Sequence, residues 1–126
     1  MALTQGRSKR KETGGRYTNT NPKRVSQTAN APTLTELGDR KVKTRRTRGG
    51  HTKQILLQDN TINLYLRDKE KHVEAEITNV LENDANANYV RRNIITRGCI
   101  VDTNEGKAKV TNRPAQDGII QGVSHE

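Results

Sequence analysis

Apolar residues alternate with polar ones in short runs along this chain, almost all of them in its second half. "TINLYL" at 61–66 sets Ile62, Leu64 and Leu66 on one side and Asn63 and Tyr65 on the other, the period-two pattern of a half-buried strand. "QILLQ" at 54–58 is a shorter apolar run, and the "DN" at 59–60 between the two is a turn signal. "RDKEK" at 67–71 reads as a charged loop. In "HVEAEITNVL" at 72–81 the alternation runs through Val73, Ala75 and Ile77, then slips phase at Val80–Leu81, which predicts a bulge. "ENDANANYVRRN" at 82–93 is polar and turn-rich, with room for one helical turn. "IITRGCIVDT" at 94–103 predicts the most apolar strand, with a bulge or tight barrel corner at Gly98. "NEGK" at 104–107 connects it to "AKVTNR" at 108–113; Pro114 ends that strand, "AQDG" turns, and "IIQGV" closes the chain. Short strands at short spacing, with almost no helical period, predict an all-β fold built as a small antiparallel β-barrel. Closure is expected because open edges on so small a sheet invite association.

Upstream the pattern changes. "KVKTRRT" at 41–47 alternates Val42 and Thr44 against Lys41, Lys43 and Arg45, and Gly49–Gly50 marks a bend. Before residue 41 no strand or helix period survives. The clusters "GRSKRK", "GGRY", "NPKR" and "LGDRK" are separated by Thr, Asn, Ser and Ala, and Pro22, Pro32 and four glycines interrupt any regular element. Only "TLTEL" at 33–37 has room for a short turn. Residues 1–40 are therefore expected to be an extended basic arm, disordered when free, and residues 41–126 the β-barrel domain. Extended, such an arm reaches at most about 130–140 Å.

Charge sharpens this division. The 126 residues carry a net +9, with 29% hydrophobic residues and three tyrosines as the only aromatics. Residues 1–53 hold 14 Lys or Arg against 3 Asp or Glu; residues 54–126 hold 9 against 11. Ile, Leu and Val number 5 in the first part and 19 in the second, so a core can form only in the second. Eight of the 14 leading cations are Arg, whose planar fork matches phosphate oxygens bidentately. At this density the chain repels itself, and a polyanion relieves the repulsion. No apolar run approaches the roughly 18 residues of a membrane span, and no amphipathic anchor accompanies the charge. "MALTQGRSKRK" has no hydrophobic core of a secretory signal. Nucleic acid is the expected partner. No helix-turn-helix, zinc-finger or basic-zipper pattern is present, and one tyrosine in the arm is poor equipment for stacking on single strands. Folded RNA, with dense phosphate lining deep grooves, fits an arm that can thread. The candidate contacts outside the densest blocks include Lys23, Arg24 and Arg40.

Catalytic readings are weak. His51, His72 and His125 are scattered among polar residues, although His51 and His72 could formally supply an acid–base pair for RNA cleavage. A single Cys gives no zinc set and no disulfide; Cys99, inside "GCIV", reads as a small buried thiol of a protein in a reducing compartment. "EGKA" at 105–108 lacks both the earlier glycine and the hydroxyl residue of a phosphate loop. Glu74 and Glu76 read as solubilising groups on an outer strand face. No enzyme activity, metal, cofactor or small-molecule substrate is expected. A second cationic group, Arg91, Arg92 and Arg97 in "YVRRNIITRG", reads as RNA contact, with surface pairing to Glu82 or Asp84 as the alternative.

Four blocks together carry a resemblance: "QGRSKRKETGGR" at 5–16, "RKVKTRRTRGGHTK" at 40–53, "NYVRRNIITRGCIVDTNEGKAKVTNRPAQDG" at 88–118, and the closing "IIQGV". In order and spacing they resemble the ribosomal protein S8e family of the archaeal and eukaryotic small subunit, in its short archaeal form. The resemblance implies a β-barrel with a basic N-terminal extension bound to small-subunit ribosomal RNA on cytoplasmic ribosomes, beside other small-subunit proteins. The RNA contacts it implies are Arg7, Lys9, Arg10, Lys11 and Arg16 in the first block. The second supplies Lys41, Lys43, Arg45, Arg46, Arg48 and Lys53, and the third Arg91, Arg92 and Arg97. Thr4 stands where the family pattern has Trp and Ala115 where it has Gly, and residues 17–39 match poorly. A related, much longer ribosome-assembly and pre-rRNA processing factor shares parts of the pattern, so an assembly factor is the alternative function.

Overall fold

The computed structural model describes residues 6–18 and 24–125. The alternating runs become strands β1 (Thr35–Glu36), β2 (Lys41–Arg46), β3 (Thr52–Gln58), β4 (Thr61–Leu66), β5 (Lys71–Glu82), β6 (Ile94–Ile95), β7 (Ile100–Thr103), β8 (Gly106–Val110) and β9 (Gln121–Ser124). Two short helices, α1 (Ala87–Arg91) and α2 (Pro114–Asp117), fill connections. Among the described residues no helix is long and apolar enough to cross a membrane.

Strands β4, β5, β7, β8 and β9 close into a barrel in that order. Neighbours along the chain pair antiparallel. With an odd number of strands, alternation cannot be kept all the way round, and the closing pair β4–β9 is parallel, with Leu64 beside Gly122. The inward residues are those the alternation selects. Ile62, Leu64, Ala75, Ile77, Val80, Val101, Ala108 and Val110 are buried in one cluster with Leu56, Ile95, Cys99 and Ile120. The slip in β5 is present as register shifts between Ile77 and Asn79 and between Val80 and Glu82, which bend the long strand around the barrel. Burial pushes the Cys99 thiol above its ordinary pKa, against a smaller lowering by a backbone hydrogen bond from Thr96.

A second sheet, in the order β2-β3-β1-β6, is built from segments flanking the barrel strands in sequence. Two sequence expectations change here. Residues 94–103 are not one strand. Gly98 takes φ +88°, its N–H donates to the Val110 carbonyl at 2.8 Å, and the Cys99 N–H donates to Thr96 at 3.2 Å. This turn sends Ile94–Ile95 to the second sheet and Ile100–Thr103 to the barrel. "TLTEL" supplies a strand rather than a turn. Thr35 is buried and its hydroxyl donates to the Leu56 carbonyl at 3.0 Å, while Thr35 and Glu36 pair with Ile95 and Ile94. A strand of two residues carries no period to read, and its neighbours fix it.

The "DN" signal marks a corner between sheets. Asp59, 1% exposed, accepts hydrogen bonds from the Thr61 N–H and hydroxyl at 3.2 and 3.0 Å and from Arg40 Nη1 at 2.9 Å. One buried carboxylate thus ties the approach to β2 to the start of β4. The chain divides into two compact units, Met1–Pro32 and Thr33–Glu126; both sheets belong to the second.

Closure of the barrel is tight at one glycine. A Cβ on Gly122 would lie 2.8 Å from Ile62 Cδ1 and 3.1 Å from the Lys109 carbonyl oxygen. Gly122→Ala is expected to overpack the β4–β9 seam and cost about 1–3 kcal/mol, read as a lower urea midpoint with an unchanged slope. An unchanged midpoint would show that the seam has room to spare.

Candidate nucleic-acid interface

The β2–β3 hairpin is a two-stranded ribbon. Lys43 pairs with Ile55, Thr44 with Gln54, Arg45 with Lys53 and Arg46 with Thr52. Its root is anchored where Leu56 enters the core, and outward from there every residue of β2 is exposed. The tip is closed by Thr47, whose N–H and hydroxyl donate to the His51 carbonyl at 2.7 and 3.1 Å. Between them Gly49 and Gly50 sit at φ +81° and +84°, a left-handed pair that side chains with a Cβ rarely adopt. The sequence bend at Gly49–Gly50 is this tip.

Six candidate cations, Lys41, Lys43, Arg45, Arg46, Arg48 and Lys53, come together on this one ribbon, and no carboxylate lies between Asp39 and Asp59. All six are exposed, and none has an ion-pair partner among the described residues. Arg45 and Lys53 stand directly opposite one another. Like charges facing across a strand pair destabilise it, so the ribbon is held in shape against its own electrostatics. Docked phosphate reverses that term.

The other candidates are distributed. Arg7, Lys9, Arg10, Lys11 and Arg16 lie around a small hairpin within the first unit. An Arg10–Arg16 bridge closes it, with Lys11 N–H donating to Gly15 at 2.8 Å and Tyr17 N–H to Lys9 at 2.9 Å. The Arg7 guanidinium stacks 3.7 Å over the Tyr17 ring, with Lys11 Nζ at 5.5 Å, so the tyrosine holds cations rather than offering a bare stacking face. Arg24 precedes a single 3-10 turn, Val25–Gln27, and is exposed. Lys23 lies outside the described residues, as does Thr4.

Arg40 and Arg92 already have partners. Arg40 reaches the buried Asp59 at 2.9 Å. Arg92 lies 3.4 Å from Glu36, across from α1, and not against Glu82 or Asp84. Arg91 ends α1, whose first turn is capped by the Asn86 side chain accepting from the Asn88 N–H. Arg97 sits in the turn between β6 and β7. Both are exposed and, among the described residues, without an ion pair. The sequence did not single out Asp59, because a buried carboxylate and a turn aspartate look alike until Arg40 is placed beside it.

Elsewhere the histidines are apart in role. His51 closes the ribbon tip, while His72 lies on β5 with its ring 4.9 Å from that of Tyr65. Glu74 and Glu76 are exposed on β5, so that barrel face would repel the polyanion the ribbon attracts.

The family model described as Ribosomal protein S8e matches residues 4–124. The chain is 44% identical to the small ribosomal subunit protein eS8 of Methanobrevibacter smithii, over 98% of both chains. It is 42% identical to the eS8 protein of Nanoarchaeum equitans over 94% of both, and 40% identical to that of Picrophilus torridus over 98% of both. The family match over residues 4–124 and relatives 40–44% identical over nearly their whole length place the chain, with its acid-free ribbon and five-stranded barrel, in the ribosomal protein S8e family.

Proposed function

We propose that this protein is a structural constituent of the small ribosomal subunit that binds and braces folded ribosomal RNA. The observation that carries the reading is the β2–β3 ribbon, with six exposed cations and no internal acid to match them. Phosphate contacts of this kind position a protein on RNA without reading sequence. The small hairpin closed by Lys9 and Tyr17 adds a second group of cations on the leading basic segment. On this reading the threading part of the expected arm ends near Pro32, because Thr35–Glu36 and Arg40 belong to the folded unit that anchors it. Ribosomal RNA and neighbouring small-subunit proteins are the partners, cytoplasmic ribosomes the location, and no catalytic step is involved. Full-length correspondence with the eS8 relatives favours a resident of the particle over the longer assembly factor.

If about eight phosphates are neutralised, log K for ribosomal RNA falls against log salt with a slope of about −6 to −7; a nearly flat dependence would sink the reading. A resident protein is also retained at one copy per subunit in salt-washed mature small subunits, whereas an assembly factor is absent from them.

Arginines of different environment are expected to separate cleanly. Arg45→Ala with Arg46→Ala weakens RNA binding and flattens the salt slope, while the melting temperature does not fall, because the change relieves the Arg45–Lys53 repulsion. Arg40→Ala does the opposite. It strips a partner from buried Asp59 and costs about 1–2 kcal/mol, kept low because Arg40 is half exposed and Thr61 still bonds the carboxylate. The check is thermal melting and salt titration on the same preparations.

A further inference from the structure

The ribbon has two chemically different faces. Cross-strand partners share a face and successive residues alternate. Lys43, Arg45 and Lys53 therefore project to one side, and Thr44, Arg46 and Thr52 to the other. All six are exposed. Nearer the root the second face is covered, since a Cβ on Gly118 would meet Gln54 at 3.5 Å, but toward the tip both sides are open.

The threonines on that second face stand out within their unit. The hydroxyls of Thr35, Thr47, Thr61, Thr78, Thr96, Thr103 and Thr111 each donate to a group of the protein itself. Those of Thr33, Thr44 and Thr52 have no such partner among the described residues, and of these Thr44 and Thr52 share one face of the ribbon. Threonine suits a strand, so its presence there needs no functional cause. What is particular is a pair of uncommitted hydroxyls flanking an unpaired guanidinium, on the reverse of a face made of three cations.

We propose that the ribbon inserts between two RNA strands and divides the work of recognition. The face of Lys43, Arg45 and Lys53 lies against phosphate. The face of Thr44, Arg46 and Thr52 lies against the sugar edge of a shallow minor groove, where ribose 2′-hydroxyls are displayed and the two threonines exchange hydrogen bonds with them. A uniformly basic arm attracts any polyanion; this second face distinguishes RNA from a polymer of the same charge. The inference rests on the ribosomal-RNA reading above and deepens it.

The test uses the full chain and small-subunit ribosomal RNA transcribed either unmodified or with 2′-fluoro pyrimidines, which keep the A-form sugar pucker and cannot donate a hydrogen bond. The wild-type protein is expected to prefer unmodified RNA by about fivefold or more, the loss of one or two hydrogen bonds. Thr44→Val with Thr52→Val, near-isosteric and strand-compatible, erases the preference and leaves the salt slope unchanged. Lys43→Gln, Arg45→Gln and Lys53→Gln together flatten the slope by about two to three and keep the preference. Equal binding of both RNAs by the wild type overturns the inference, as does a threonine variant that keeps the full preference or a charge variant that keeps the full slope. Failure of the wild type to bind either RNA would instead overturn the ribosomal reading itself.

Discussion

Repulsion among cations that share one short hairpin is the constraint on which the rest of this structure depends. Between Asp39 and Asp59 the chain offers no carboxylate, so Arg45 and Lys53 face each other with nothing to separate their charges. A hairpin alone is marginal in water, and one with this charge pattern is worse. The ribbon stands because its base is not a hairpin alone. Leu56 is sunk in the core, β1 and β6 extend the sheet beyond β3, and Asp59 holds Arg40 at the corner. Hydrophobic burial at one end sustains an electrostatically unfavourable shape at the other.

The barrel is suited to that task. Its five strands close on themselves through the parallel β4–β9 pair, at Gly122, where there is no space for a side chain. Closure removes the free edges that would pair with other chains, leaving the charged ribbon as the prominent exposed feature of the second sheet. Charge is unevenly placed as well: β2 and β3 carry no carboxylate, whereas β5 of the barrel exposes Glu74 and Glu76 beside Lys71. The strongest positive field therefore lies along the ribbon.

Not every cation serves the same end. Arg40 stabilises a buried acid and Arg92 approaches Glu36, while Arg45, Arg46 and Arg48 have no such tie among the described residues. In the first unit Arg7 is drawn over Tyr17 and the chain around it folds back between Lys9 and Tyr17. Local hydrogen bonds, with Gly14 at φ +83° in the turn, suffice to make this small hairpin. It brings basic side chains close together.

The sequence alone determined the barrel strands, the bulge in β5, the ribbon tip at Gly49–Gly50 and the basic character of the leading half, because alternation, left-handed glycines and net charge are local properties. Even so, it could not separate the cations left without an ion pair among the described residues from those that meet a carboxylate. Arg40 and Arg45 sit in the same basic run and differ only in what the fold brings beside them. Nor could it divide residues 94–103 between two sheets or make a strand of Thr35–Glu36, since both depend on neighbours distant in the chain: Val110 receiving the Gly98 N–H, and Leu56 receiving the Thr35 hydroxyl. Hydrogen bonds and ion pairs across such separations exist only once the sheets have formed, and the tertiary structure alone decides them.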